Sequence, residues 1–83
     1  MILDEIERID KLSKDLEEKY PSEDLEFYSL YDDIVTFCEM PETKQSKRNY
    51  VKHKKKKLCK RVTDEDKPKV KELVHMIAEF CYI

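Results

Sequence analysis

The stretch that decides the fold is Lys44–Arg61, KQSKRNYVKHKKKKLCKR. Read as a helix, it completes an all-α chain; read as a hairpin, it makes the chain α+β. Val51, Leu58 and Val62 fall on one helical stripe with Lys55 filling the gap, which gives a thin apolar seam and a broad basic face. The hairpin would pair Asn49–His53 with Leu58–Val62 around Lys54–Lys57, spanning 49–62. Four adjacent lysines repel one another there, and the turn has neither Gly nor Asn. The expectation is therefore a helix or a partly disordered arm, with the hairpin as the alternative.

Charge sets this stretch apart from its neighbours. It holds ten Lys or Arg and no acid, a formal +10. Residues 1–43 hold fourteen acids against four bases, a formal −10, and residues 62–83 hold five against three, a formal −2. The net charge of −2 over 83 residues thus conceals a polarised molecule. Hydrophobic residues make up 40% and are patterned, which argues against wholesale disorder. The chain has no Gly and three Pro, so tight turns lack their usual residue and helices with short polar links fit best. A length of 83 residues makes one domain with a thin stability margin.

Outward from the basic stretch, Ile2, Ile6, Ile9, Leu12 and Leu16 recur every three or four residues, predicting a helix over 2–19. Glu7–Lys11 and Asp10–Lys14 are spaced as i,i+4 ion pairs on its polar face. Tyr20-Pro21-Ser22 breaks it, and Ser22 suits an N-cap for a second helix over 23–39. Leu25, Phe27, Tyr28, Leu30, Tyr31, Ile34, Val35, Phe37 and Cys38 make that helix apolar over much of its surface, marking it as the central core helix. A rival reading makes Asp33–Cys38 a strand, although the Phe27, Leu30, Ile34, Phe37 period runs through it. Pro41 ends the helix.

In the last segment, Thr63 and Asp66 have the form of a capping box; alternatively Asp66 is the N-cap, placing Pro68 at the second helical position. Val70, Leu73, Val74, Ile77, Phe80 and Cys81 then share one face, flanked by His75 and Met76, with His75 read as half-buried. The fold class expected is a small three- or four-helix all-α domain. It divides into an acidic two-helix unit (1–43), the basic segment (44–61) and a C-terminal helix (63–83).

The basic segment predicts phosphate-backbone binding by Lys44, Lys47, Arg48, Lys52, Lys54, Lys55, Lys56, Lys57, Lys60 and Arg61. Tyr50 and His53 are placed to stack on unpaired bases, and Gln45 and Asn49 can bond base edges, which favours RNA over duplex DNA. The alternative is a protein-interaction inhibitor or adaptor docking through Tyr20, Phe27, Tyr28 and Tyr31 on the acidic helices, with no nucleic-acid role. The −10/+10 polarity also suits a homodimer in which one chain's basic segment meets another's acids.

Three widely spaced cysteines, Cys38, Cys59 and Cys81, do not form a secreted disulfide framework and are expected to be reduced, in a cytoplasmic protein. KHKKKKLCKR also has the form of a nuclear-localisation run for a eukaryotic or nuclear-virus source. The N-terminus has the pattern of neither a signal peptide nor a membrane span. His53/Cys59 and His75/Cys81 are each six apart, which separates them on a helix, and no CxxC or HxxxH occurs, so no metal or other cofactor is expected. No phosphate loop or nucleophile elbow is present, so no enzyme is expected. In composition the chain resembles the small Lys- and Glu-rich accessory proteins of large lytic phages. That resemblance, which covers composition alone, implies regulation by stoichiometric binding of a host or phage factor.

Overall fold

The deciding stretch is a helix. The computed structural model of the protein describes residues 2–82, with side chains from Leu3 onward. It has four helices: α1 (Ile2–Lys19), α2 (Glu26–Glu39), α3 (Lys44–Cys59) and α4 (Lys67–Phe80). No strand occurs among the described residues, so neither the 49–62 hairpin nor the Asp33–Cys38 strand is realised. The helical apolar period outweighs the local β propensity of IVTFC. The Cα radius of gyration is 12.2 Å, close to the roughly 12 Å expected of a packed domain of this length.

Helices α2 and α4 form the centre. Each packs against the other and against both outer helices, whereas among the described residues α1 and α3 do not meet. The core consists of Ile9 and Leu16 from α1, Phe27, Leu30 and Ile34 from α2, Leu58 at the end of α3, Val62 in the α3–α4 link, and Val70, Leu73, Val74 and Ile77 from α4. The predicted central role of α2 is therefore shared with α4.

Only the C-terminal part of the α1 stripe is used. Ile9 and Leu16 are buried and Leu12 partly so, but Leu3 and Ile6 are exposed; the side chain of Ile2 lies outside the described residues. The predicted Glu7–Lys11 and Asp10–Lys14 pairs do not close to ion-pair distance. Exposed pairs of this kind gain too little to offset the ordering of two long side chains.

Helix α2 starts three residues later than its sequence suggests. Leu25 is its N-cap, in the left-handed region at φ 48° and ψ 47°, a conformation that costs a non-glycine residue about 1–2 kcal/mol. Glu17 of α1, 3% exposed, reaches across to hold that turn. One carboxylate oxygen accepts from the Ser22 N–H at 3.1 Å and the other from the Phe27 N–H at 3.1 Å. Ser22 still assists, its Oγ accepting from the Glu26 N–H at 3.3 Å. The start of α2 is thus capped mainly by an acid ten residues upstream of Phe27 rather than by its local serine.

Asp66 is the N-cap of α4 and Pro68 lies in the first turn, so the second of the two starts is the one adopted. The Asp66 carboxylate caps no helical N–H. It instead anchors the α1–α2 turn: Lys19 Nζ lies 2.7 Å from Oδ2, the Tyr20 hydroxyl donates to the same oxygen, and Lys69 lies 3.5 Å from Oδ1. Asp66 is 1% exposed. His75, expected to be half-buried, is exposed and pairs with Glu79 at 3.0 Å, because its position points away from the Val70–Val74–Ile77 seam.

Candidate nucleic-acid interface

Helix α3 begins with a cap that its basic composition obscures. The Thr43 side chain accepts from the Ser46 N–H at 3.0 Å. The segment is therefore a well-capped helix and not an arm. Its inward face is thin. Leu58 is buried and Tyr50, Val51 and Cys59 are partly buried. The Tyr50 ring stacks on Phe37 of α2, with centroids 4.2 Å apart and planes at 7°. That stack takes one face of Tyr50 away from base stacking.

The structure divides the twelve predicted nucleic-acid-binding residues. Three turn inward: Tyr50, Lys54 and Arg61. Lys54 Nζ lies 3.3 Å from Asp33 Oδ2 and 5.6 Å from the Tyr50 ring centroid. Arg61 is a clasp between the α3–α4 link and the start of α2. Its Nη2 donates to the Tyr20 carbonyl at 2.9 Å, its Nη1 lies 3.7 Å from Glu26 Oε1, and its guanidinium covers the Phe27 ring at 5.2 Å.

The remaining nine, Lys44, Lys47, Arg48, Lys52, His53, Lys55, Lys56, Lys57 and Lys60, face outward or sit at the margin of the packed face. Arg48, Lys52, Lys56 and Lys60 are all exposed. Four residues apart, they form a single row with steps of about 6 Å along the axis. Gln45 and Asn49 are bonded to each other at 3.0 Å.

The sequence reading missed the contribution of α4. Lys67 and Lys71 join Lys55, Lys56, Cys59 and Lys60 along a shallow groove between α3 and α4. Their i,i+4 spacing was the available signal, hidden because the C-terminal segment is net acidic. Lys67 is partly occupied by Asp64 at 2.6 Å. This pair raises the Lys67 pKa and lowers that of Asp64, its hydrogen bond being the main cause in each. Lys71 forms no ion pair among the described residues.

The acidic side is organised differently from its predicted docking surface. Phe27 is fully buried, which removes it from any such surface: its position in the α2 core period places it beneath Arg61. Tyr20 is half-buried and fixed by Asp66 and by the Thr63 N–H, 3.2 Å from its hydroxyl. Tyr31 is half-buried with its ring centroid 5.7 Å from that of Phe80, while Tyr28 remains exposed.

The two strongest electrostatic perturbations lie away from α3. Hydrogen bonds from Lys19 and then Tyr20 hold the Asp66 carboxyl down at about 2, and the same contact raises Lys19. Burial, then the adjoining Cys38 thiol with which it shares a hydrogen bond, pushes the Cys81 thiol up to about 11. All three cysteines are free. Among the described residues no group of three or more His, Cys, Asp or Glu is placed to hold a metal ion. No helix among them is long and apolar enough to cross a membrane. Comparison with known proteins finds no family model, curated relative or solved structure that matches the chain.

Proposed function

We propose that the protein is a small nucleic-acid-binding regulator that grips the phosphate backbone, RNA in preference to DNA, along the Arg48–Lys52–Lys56–Lys60 row. Lys44, Lys55, Lys57 and Lys71 widen the contact. One observation carries this reading. Of the ten cations in the basic stretch only Lys54 and Arg61 pair with an acid, leaving eight without a partner among the described residues. They stay unpaired in a chain whose first 43 residues carry a formal −10. Even beside α2, which carries four acids and no base, only Lys54 of α3 reaches an acid, Asp33, and the row cations are exposed.

The preference for RNA rests on fewer features than the sequence offered. Tyr50 is occupied by Phe37, so base stacking falls to exposed His53. The row steps of about 6 Å along the axis let long side chains follow successive phosphates of one strand. Rows of this kind fix position along a backbone and carry no base information. The contact is thus suited to covering single-stranded or looped RNA with little sequence preference, regulating by occupancy. Anisotropy of labelled oligouridylate, oligodeoxythymidylate and duplex DNA at low salt tests it. Salt-sensitive binding tightest to the RNA is expected; no binding to any of the three refutes it.

A further inference from the structure

A second feature, independent of the nucleic-acid reading, lies on the acidic flank. Between α1 and α2 is a cleft of about 190 Å³ lined by Ile6, Ile9, Asp10, Ser13, Tyr28, Tyr31 and Asp32. It is smaller than the roughly 300–1,000 Å³ of pockets that enclose a whole small-molecule ligand. Its size is that of one long side chain.

Its lining is chemically mixed in a particular way. Ile6, Ile9, Tyr28 and Tyr31 supply apolar and aromatic lining, and two acids, Asp10 and Asp32, line the same cleft. Both acids are exposed. Neither takes part in an ion pair among the described residues, although Lys11 and Lys14 are close to Asp10 in sequence. Two negative charges therefore sit beside two tyrosines with no cation supplied from within the chain. Leu3, 63% exposed, lies one turn before Ile6 on the same face of α1 and extends the apolar surface beyond the cleft.

The geometry points to this cleft as a binding site for an arginine side chain presented by a partner protein. A guanidinium stacks on aromatic faces, forks onto carboxylates and is weakly hydrated, so it enters a partly apolar cleft at lower cost than an ammonium. Its methylene stem packs on Ile6 and Ile9 while the head meets Asp10 and Asp32. The partner is thus a protein with an exposed arginine in a basic or neutral segment; the acids of the cleft repel an acidic one.

The test titrates the ¹⁵N-labelled full chain with a capped pentapeptide, Ala-Ala-Arg-Ala-Ala, whose single cation minimises diffuse attraction. Saturable amide shifts centred on Ile6, Asp10, Ser13, Tyr28, Tyr31 and Asp32 are expected. The Asp10→Asn/Asp32→Asn double variant is expected to bind about tenfold more weakly, the loss of two solvent-exposed ion pairs. Glu23→Gln/Asp24→Asn, which removes the same charge from the exposed α1–α2 turn, leaves affinity unchanged. The corresponding lysine pentapeptide binds more weakly than the arginine one. All four positions are exposed, so the variants keep the fold, and their amide spectra show it. Shifts spread over acids throughout the protein, equal losses in both double variants, equal binding of the lysine peptide, or no saturable shift overturn the proposal. Shifts at the cleft that grow with protein concentration alone would make a second copy of this chain the occupant and overturn the foreign partner.

Discussion

Neutralising the centre of the α3 row is the sharpest test of how the protein meets a polyanion. Lys52 and Lys56 are exposed and without acid partners, so Lys52→Gln/Lys56→Gln removes two charges and no contact within the fold. If the four row cations each neutralise one phosphate of a single strand, the log–log salt slope is about −2.8, from roughly 0.7 per phosphate. Between about 50 and 200 mM salt the affinity then falls about 50-fold. With two contacts gone the slope becomes about −1.4 and the fall about 7-fold. The assay is anisotropy of a labelled oligouridylate across that salt range. Lys11→Gln/Lys14→Gln on α1 is the control, since it removes the same charge from the opposite flank. Stability cannot mimic the effect. Glutamine is a good helix former, and removing like charges at i,i+4 relieves about 0.3 kcal/mol, so the melting temperature stays level or rises slightly. An unchanged slope in the α3 variant, or an equal change in the α1 control, would refute the row as the contact.

Three further outcomes are expected. Glu17→Ala strips the acceptor from the Ser22 and Phe27 N–H groups at the strained start of α2; it costs about 2 kcal/mol and lowers the melting temperature by about 10 °C, and an unchanged melting curve would show that the cap carries no stability. Asp66 is held at about 2 against an ordinary 3.8, so its contribution is complete above pH 3.8 and is lost as pH falls from there towards 2; urea titrations across that window show a steep acid loss that Asp66→Asn, already weakened at neutral pH, flattens. Arg61→Lys keeps the charge but loses the fork that joins the Tyr20 carbonyl and Glu26 over Phe27; it destabilises by about 1–2 kcal/mol while RNA affinity of the folded protein changes less than twofold, and a large affinity loss with stability intact would return Arg61 to the interface.

What was legible in the sequence followed from periodicity. The α4 seam of Val70, Leu73, Val74 and Ile77 and the Phe27–Leu30–Ile34 seam of α2 lie where the 3.6-residue period puts them. The fourth helix is the least legible, because α3 has a single buried residue, Leu58, and almost no periodic signal. Apart from the local Thr43 cap and the His75–Glu79 pair, the features that the sequence did not reveal are non-local. Glu17 looks like one more solvated acid until the α1–α2 turn brings Ser22 and Phe27 to it, and its burial is what moves the start of α2 to Glu26. Asp66 looks like an N-cap and holds that position, but its carboxylate serves Lys19 and Tyr20. Arg61 looks like the last residue of the basic tract, yet the chain reverses there and turns its guanidinium onto Phe27. Lys71 reads as part of an unremarkable helix until α4 packs beside α3. In each case the side chain's role depends on a partner in a different segment, which composition and spacing do not specify.

The separation of charge across the fold has an energetic consequence for α3. Three like-charge steps, Lys44–Arg48, Arg48–Lys52 and Lys52–Lys56, oppose the helix by about 0.3 kcal/mol each. Against that stand one buried leucine, a Tyr50–Phe37 stack, the Thr43 cap and a single ion pair to Asp33. A chain carrying so many acids had a simple remedy, which was to set α3 against α1. The fold sets α3 instead against α4 and against α2, which carries four acids and no base, yet of these only Asp33 pairs with an α3 cation. The repulsion along the exposed row is therefore left without an acid partner among the described residues, and an anion from outside would relieve it. A polyanion bound only to the folded helix stabilises it by mass action, as the logarithm of one plus its concentration over its dissociation constant. On the proposed reading, the arrangement that weakens α3 alone is also the one that would couple its stability to a bound polyanion.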